Sequence, residues 1–265
     1  MHKMKFQNKT ILITGAAHGL GRELALLLDE MGCLLYLIDR DAQGLFHLAQ
    51  DLTQEHQLIQ CDLSDLRERI KLIQRIKKAE TKINILINCA GIGSHSQLSQ
   101  LNVEEIERVI QVNTLAPLEL IASLSPLELI VNIGSVAGEM SLPSISLYSA
   151  SKSSLHAFTK SIQLEGMNTL LVILGPLGGT DFVQSIEHPR TGQPKWYREL
   201  DLDVKLAARG IMDAMKGGKR QIVLPRWYQI VFIVVRLFLP LMKIFGRQLQ
   251  EESSAPGNTS HQSPG

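Results

Sequence analysis

The sequence has few cysteines and almost no net charge, and each shortage argues against a class of function. Cysteine occurs three times in 265 residues, at Cys33, Cys61 and Cys89. The spacing is not that of a metal site, so we expect buried free thiols in a reducing compartment and no metal. Lys and Arg total 27 against 26 Asp and Glu, which gives no electrostatic reason to expect nucleic acid as a partner. Residues 1–10 lack the apolar core of a secretory signal, so we expect a cytoplasmic protein.

Short apolar runs alternate with segments of helical periodicity along most of the chain. Such runs suit strands that are buried on both faces of a parallel sheet. The pattern therefore predicts an α/β fold with a doubly wound parallel sheet. The predicted strands are 11–14, 34–38, 58–61, 83–87, 129–133 and 170–174, and the clearest helical segments are 22–31, 66–78 and 103–120.

A glycine-rich turn follows the first predicted strand. Glycines there let the backbone turn tightly and approach a pyrophosphate, whose charge is met by the N-terminus of the next helix. The spacing, Gly-x-x-x-Gly-x-Gly, is not the commoner Gly-x-Gly-x-x-Gly, and a plain connector is the alternative. The candidate dinucleotide-binding residues in this turn are Gly15, Ala17, His18, Gly19, Leu20 and Gly21.

Polar residues follow the next strands at the edge where open α/β sheets bind ligands. Asp39 closes the second strand, where a carboxylate accepts the ribose hydroxyls of an adenosine and repels a 2′-phosphate, which favours NAD. Arg40 leaves NADP open, because a guanidinium binds a phosphate. Simple turn chemistry is the alternative for the later residues. Those further candidates for cofactor binding are Asp62, Leu63, Asn88, Ala90 and Gly91.

Three residues in the second half of the chain predict acid–base chemistry. Tyr148 and Lys152 lie four residues apart, so on a helix they share one face. A neighbouring ammonium favours the phenolate, which makes a tyrosine usable as an acid or base near neutral pH. Ser135 follows an apolar strand and can hold the oxygen of a substrate. A Tyr and a Lys four residues apart are common on helix surfaces. Because Tyr148 and Lys152 follow a dinucleotide-type turn in the same chain, with Ser135 before them, we favour a catalytic role for them.

Taken in their order along the chain, these motifs resemble those of the short-chain dehydrogenase/reductase family over about residues 8–183. The resemblance implies a three-layer α/β/α Rossmann fold with strand order 3-2-1-4-5-6-7. It also implies that Tyr148 is the general acid/base, that Lys152 binds the nicotinamide ribose and that Ser135 orients the substrate. Asn113 would hold a helix kink and a proton-relay water, and Pro176 and Thr180 would lie at the nicotinamide carboxamide. The matching residues are 14–21, 39, 62, 88–91, 113, 135 and 148–152.

The chain departs from the family pattern at four places, one of which is a stretch at 165–171 that is shorter than usual. Cys89 replaces the second Asn of the usual Asn-Asn-Ala-Gly, and the loop at 176–180 carries an unusual pair of glycines. The stretch 114–129 is short, which puts the usual tetramer in doubt and leaves a homodimer as the alternative. None of these departures removes a catalytic group.

The last part of the chain predicts two further segments. We expect one domain over 1–224 with a substrate lid near 181–203, an apolar helical segment at 225–248 and a disordered tail at 249–265. The stretch 227–247 is apolar apart from one polar stripe that includes Arg236 and Lys243. Packing within a core or dimer, peripheral attachment to the cytoplasmic face of a membrane, and a membrane span are the three interpretations. We expect peripheral attachment, and by extension a lipophilic substrate.

The sequence therefore predicts an oxidoreductase that moves a hydride between NAD, or NADP, and an alcohol or ketone carbon. Two alternatives remain within enzymes: an NADPH-dependent lipid ketone reductase, and an isomerase or epimerase that oxidises its substrate transiently. A dinucleotide-sensing regulator without catalysis is the alternative outside enzymes, because the fold alone does not fix the function.

Overall fold

A computed structural model of the chain describes residues 4–140, 144–178, 202–230 and 232. Within these residues seven parallel strands form one sheet in the order β3-β2-β1-β4-β5-β6-β7, which confirms the predicted topology. The predicted strands agree with the observed ones within two residues. The strands are β1 Thr10–Thr14, β2 Leu34–Asp39, β3 Gln57–Gln60, β4 Ile85–Asn88, β5 Leu129–Ser135, β6 Thr169–Leu174 and β7 Gln221–Leu224.

Helices connect the strands and cover both faces of the sheet. Several begin at an aspartate whose side chain accepts backbone N–H groups of the first turn, as Asp65 does from Arg67 and Glu68. The helices are α1 Gly19–Asp29, α2 Ala42–Asp51, α3 Leu66–Lys78, α4 Val103–Ile110, α5 Ala116–Leu124, α6 Ser146–Leu164 and α7 Val204–Lys216.

The side chains of successive strand residues pack in two separate hydrophobic cores. Ile11 and Ile13 of β1 pack in one buried cluster with residues of α1 and α7. Leu12, which lies between them, packs in a second cluster with residues of α3, α5 and α6. Alternate side chains of a strand point to opposite faces, so a parallel sheet of this kind is buried on both sides. The three-layer α/β/α prediction is confirmed.

The predicted helix over 103–120 is interrupted. After α4 the chain forms a π-helical turn at Gln111–Leu115 before it continues as α5. The apolar periodicity of the segment does not reveal this turn, because a side-chain contact to a distant loop accompanies it. That contact is made by Asn113.

The chain divides into a compact unit over Met1–Tyr228 and a second unit over Gln229–Gly265. In the second unit only residues 229, 230 and 232 are described. Most of the predicted lid at 181–203, most of the apolar segment at 225–248 and the whole tail at 249–265 therefore lie outside the described residues. None of the described helices is long and apolar enough to cross a membrane.

Candidate active site

The glycine-rich turn packs closely against the loop after β4. Gly15 has φ +69°, and a Cβ added there would lie 2.8 Å from Cα of Ala90. The hydroxyl of Thr14 accepts the N–H groups of Cys89 and Ala90, each at 3.1 Å. A Cβ at Gly21 would overlap the carbonyl oxygen of Gly15. The backbone is therefore compact where α1 begins, and the exposed first-turn N–H groups of a helix fit a pyrophosphate.

Asp39 ties the end of β2 to this turn. Its Oδ2 accepts the N–H of Ala17 at 3.0 Å, and its Oδ1 accepts the N–H of Asp41 at 3.0 Å. Arg40 is exposed between the two aspartates. Each carboxylate oxygen can accept a further hydrogen bond, so Asp39 still fits the two hydroxyls of a ribose.

His18 of the predicted turn lies against a second carboxylate. Its Nε2 is 2.6 Å from Oδ2 of Asp41, and both side chains are partly exposed. Hydrogen bonds from the Gly44 N–H and from His18 lower the pKa of Asp41 below its usual value. Of the other predicted residues of this turn, Gly19 is the first residue of α1 and Leu20 is buried. Two carboxylates thus lie where the adenosine ribose is expected.

The loop after β3 is held by its own side chains and by one buried arginine. Oδ1 of Asp62 accepts the N–H and the hydroxyl of Ser64, each at 2.8 Å. The carbonyl of Leu63 accepts Nη1 of Arg69 at 2.7 Å. Arg69 is 1 % exposed and also donates to the carboxylate of Glu119 and to Gln111. It thereby links the loop after β3, a predicted part of the cofactor site, to the π-helical turn.

Arg69 was not among the predicted site residues, although its position carries a signal. It shares the buried face of α3 with Leu72 and Ile76, at spacings of three and seven residues. An arginine on the apolar face of a helix is a candidate for a buried hydrogen-bonded role, because burial without partners is costly.

Asn88, at the end of β4, begins a buried chain of amides and hydroxyls. Its Nδ2 donates to Oδ1 of Asn132 at 2.8 Å, and Nδ2 of Asn132 donates to the hydroxyl of Thr159 at 2.8 Å. Oδ1 of Asn88 is buried and has no hydrogen-bond partner among the described residues. A buried acceptor of this kind is compatible with a ligand that supplies a donor.

Asn113 fastens the π-helical turn to the loop after β4. Its Oδ1 accepts the N–H of Ile92 at 2.9 Å, and its Nδ2 donates to the carbonyl of Ile92 at 2.9 Å and to the hydroxyl of Ser151 at 3.0 Å. The residue predicted to hold a helix kink thus lies in a π-helical turn. The same side chain joins that turn to α6, which carries Tyr148 and Lys152.

Tyr148 and Lys152 occupy one face of α6 beside the end of β5. Nζ of Lys152 donates to the carbonyl of Ile133 at 3.0 Å and lies 6.0 Å from the centroid of the Tyr148 ring. Lys152 is 4 % exposed, and burial lowers the pKa of its ammonium to about 8. A Cβ at Gly91 would come within 3.2 Å of Nζ of Lys152, so the loop after β4 also packs against this ammonium.

Ser135 ends β5 two residues after the carbonyl that Lys152 contacts. Its hydroxyl accepts the N–H of Ala137 at 3.2 Å, and its own N–H donates to Nε2 of His156 at 3.2 Å. Ser135, Lys152 and Tyr148 are thus held where β5 and α6 meet. A buried cation beside a phenol, next to a serine hydroxyl, is chemically suited to proton transfer.

Cys89 differs from the expectation for the cysteines. Cys33 and Cys61 are buried as predicted, whereas Cys89 is only partly buried. Desolvation raises the pKa of the Cys89 thiol to about 12, so it is a neutral group beside Lys152 and does not supply a compensating negative charge.

The loop after β6 is packed against the start of the C-terminal segment. The Gly175 N–H donates to the carbonyl of Leu224 at 2.7 Å, and a Cβ at Gly175 would lie 2.6 Å from the Tyr228 ring. The carbonyl of Pro176 accepts the N–H of Leu202 at 2.9 Å. Tyr228 is 8 % exposed, which removes it from the residues expected to touch a membrane. Thr180 lies outside the described residues.

Comparison with known proteins identifies the family. Residues 9–189 match the family model described as short chain dehydrogenase. The chain belongs to the short-chain dehydrogenase family. Dehydrogenase/reductase SDR family member 7B of Mus musculus is 27 % identical over 259 residues, 90 % of this chain and 80 % of that protein. The 3-oxoacyl-(acyl-carrier-protein) reductase FabG of Buchnera aphidicola is 33 % identical over 168 residues, 61 % of this chain and 69 % of that protein.

Solved structures show the same fold as this short-chain dehydrogenase. A short chain dehydrogenase/reductase from Burkholderia phymatum, solved with NAD, matches with a TM-score of 0.79 and 22 % identity over 90 % of this chain and 96 % of that chain. A short-chain dehydrogenase from Sphingobium yanoikuyae, solved with NADPH, matches with a TM-score of 0.74 and 23 % identity over 97 % and 98 % of the two chains. The predicted fold and family are both confirmed.

Proposed function

We propose that this short-chain dehydrogenase moves a hydride between a nicotinamide dinucleotide and an alcohol or ketone carbon. One observation carries the proposal. The ammonium of Lys152 is buried next to the ring of Tyr148, at the carboxyl edge of a sheet whose first turn fits a pyrophosphate. Burial of a cation costs free energy, and a charge retained at such a cost is typical of functional sites.

The residues at the ends of β1, β2 and β4 fit a dinucleotide at the carboxyl edge of the sheet. Gly15 approaches the backbone of Ala90 so closely that no side chain fits between them at this point of the turn. The Oδ1 of Asn88, which has no hydrogen-bond partner among the described residues, lies on β4, next to β1 in the sheet. The structural neighbours solved with NAD and with NADPH support the same cofactor class. We favour NAD, because Asp39 and Asp41 would both repel a 2′-phosphate.

In the mechanism the bound nicotinamide supplies the hydride in reduction or accepts it in oxidation. Tyr148 donates its phenolic proton to the carbonyl oxygen, or removes the alcohol proton in the reverse direction. The Lys152 ammonium favours the phenolate electrostatically. One of its three N–H groups donates to the carbonyl of Ile133, which leaves two that can donate to ribose hydroxyls. Ser135 donates a hydrogen bond to the same substrate oxygen and keeps its proton, and Asn113 holds the π-helical turn against α6.

Exchange of Tyr148 for Phe tests this proposal. We expect turnover of a panel of ketones and secondary alcohols to fall by about 10²–10⁴-fold, because the proton donor is lost. The dissociation constant of NADH, measured by fluorescence titration, should stay within a factor of about 2–3 of the wild-type value, since the cofactor makes its other contacts elsewhere. The matched control is Tyr36→Phe, which removes a buried phenol in β2. Equal turnover by Tyr148→Phe and the wild type would contradict the assignment.

A lipophilic ketone is the substrate class that we favour within this function. The relative from Buchnera is named as a reductase of 3-oxoacyl groups on acyl carrier protein. A structural neighbour from Comamonas testosteroni, with a TM-score of 0.70 and 22 % identity, is named as a bulky-bulky ketone specific alcohol dehydrogenase. An NADPH-dependent lipid ketone reductase is the second candidate, because Arg40 is exposed beside Asp39. Titration with NADH and with NADPH separates the two candidates.

Peripheral membrane contact through 227–247 is part of the same proposal. Trp227 is 40 % exposed and supports it, whereas the buried Tyr228 does not contribute. Cell fractionation in low salt, with the full chain and with a chain that ends at residue 228, tests the contact. A full-length chain that stays wholly in the soluble fraction as a monomer contradicts it, and one that stays soluble as a dimer favours packing between copies of the chain.

A further inference from the structure

His156 is a buried residue of the site that the mechanism above does not use. It lies on α6 one turn after Lys152 and two turns after Tyr148, and it is 2 % exposed. Two glycines of the segment after β5 make room for its ring. A Cβ at Gly138 would lie 2.6 Å from Cε1, and a Cβ at Gly134 would overlap Nε2. The ring therefore packs directly against the backbone at Gly134 and Gly138, which lie on either side of Ser135 in the chain.

The hydrogen bonds of His156 define one protonation state. The N–H of Ser135 donates to Nε2 at 3.2 Å, so Nε2 must carry a lone pair. Nδ1 then carries the proton and donates it to Oε1 of Glu139 at 3.2 Å. Burial lowers the pKa of His156 below its usual value, which agrees with a neutral ring. The geometry thus requires the Nδ1–H tautomer.

In the part of the chain that the structure describes, three charged groups face the His156 ring. Glu139, after β5, accepts both Nδ1 of the ring and Nζ of Lys160 at 2.8 Å. The hydrogen bond from His156 lowers the pKa of Glu139 to about 2, so Glu139 is a carboxylate at neutral pH. Lys152 and Lys160, one turn on either side of His156, disfavour a positive charge on the ring. The acid therefore orients the ring, while burial lowers the pKa of His156 and the two lysines add to that effect.

We propose that His156, oriented by Glu139, is a positioning residue that holds the backbone of Ser135 so that the serine hydroxyl meets the substrate oxygen. The proposal rests on the proposed function, because it assigns a task to Ser135. A protonated His156 would present an N–H to the N–H of Ser135, so the contact would be lost. His156 acts through Ser135 and does not touch the reacting atoms.

Two substitutions of His156 separate positioning from packing. Leucine at position 156 removes the acceptor and keeps an apolar group, whereas the Oε1 of glutamine reaches about as far as Nε2 of histidine. With NADH and cyclohexanone or 2-octanone, we expect His156→Leu to lower kcat about tenfold, the effect of one lost neutral hydrogen bond. His156→Gln should restore most of this loss, with the KM for NADH unchanged in both variants.

Both substitutions are repeated in a Ser135→Ala background. If His156 acts through the serine hydroxyl, His156→Leu should change kcat less than about twofold there, because coupled residues are not additive. The same tenfold loss in both backgrounds would overturn the proposal. The matched control is His56→Leu, which removes another buried histidine paired with an acid, Asp29, at the amino end of the sheet. This control should lower stability and act alike in both backgrounds.

A measurement without substrate keeps this proposal separate from the proposed function. In ¹⁵N NMR spectra of the full chain at neutral pH, we expect His156 to be the neutral Nδ1–H tautomer. The Ser135 amide signal should move strongly in His156→Leu and little in His156→Gln. An Nε2–H tautomer, an imidazolium or an unmoved Ser135 amide would overturn the positioning role. A wild-type chain with these signals but no turnover of any ketone would contradict only the proposed function.

Discussion

Exchange of Lys152 for methionine is expected to stabilise the protein while it abolishes turnover. Burial lowers the pKa of Lys152 from 10.5 to about 8, which corresponds to about 3 kcal/mol at about 1.4 kcal/mol per pKa unit. Methionine has a similar length and carries no charge, so this cost disappears. The hydrogen bond to the carbonyl of Ile133 is lost as well, which costs about 1 kcal/mol. The net gain in the free energy of unfolding at pH 7 is therefore about 2 kcal/mol.

The gain should depend on pH with a definite sign. Between about pH 8 and 10.5 the unfolded wild type binds the Lys152 proton and the folded protein releases it, so the stability of the wild type rises with pH. The advantage of Lys152→Met is therefore full below pH 8, declines above it and is gone at about pH 9.5. By about pH 10.5 only the loss of the hydrogen bond to Ile133 remains, so the variant should then be less stable than the wild type by about 1 kcal/mol.

Thermal unfolding without cofactor, at a series of pH values, measures the effect. A gain of about 2 kcal/mol raises the Tm by about 4–8 °C for a domain of this size. Lys71→Met, at an exposed position on α3, is the control and should change the Tm little. A lower Tm for Lys152→Met at pH 7, or a difference that does not change with pH, would refute the reasoning about the buried charge.

Three further predictions concern other parts of the site. Arg69→Met should lower the free energy of unfolding by roughly 2–4 kcal/mol in urea titrations. The reason is that Leu63, Gln111 and the partly exposed Glu119 lose a buried partner. The control, Arg67→Met on the exposed face of the same helix, should lower the free energy of unfolding by less than about 0.5 kcal/mol. Asp39→Asn should raise the affinity ratio of NADPH to NADH about tenfold or more in fluorescence titrations, and an unchanged ratio would remove Asp39 from cofactor selection. Gly175→Ala should destabilise the protein by about 1–3 kcal/mol through overlap with the Tyr228 ring, and addition of Tyr228→Ala should relieve that overlap in the same unfolding assay.

The strands and the sheet were predictable from the sequence because both faces of the sheet are buried. Continuous apolar runs such as 34–38 are favourable only in that environment, so the pattern indicates the layers as well as the strands. The strand order depended on the resemblance to the family, since the apolar runs do not say which strands are neighbours. Tyr148 and Lys152 could be placed on one face because helical spacing is a local property.

The features that the sequence did not predict depend on contacts between distant residues. The resemblance to the family implied a helix kink at Asn113, but its π-helical form accompanies the hydrogen bonds between Asn113 and Ile92, which is 21 residues away. His156 looks like an ordinary helical residue until Gly134 and Gly138 are brought beside it. Arg69 had a local signal, its place on an apolar helix face, but its partners come from three other segments.

Transfer of isotope from the cofactor tests the central claim most directly. The wild type and Tyr148→Phe are incubated with NADH that carries deuterium at both C4 positions and with a ketone that the wild type reduces. Mass spectrometry of the alcohol should show one deuterium at the carbinol carbon with the wild type and almost no alcohol with Tyr148→Phe. Alcohol without deuterium, or labelled alcohol formed equally fast by both proteins, would contradict hydride transfer assisted by Tyr148.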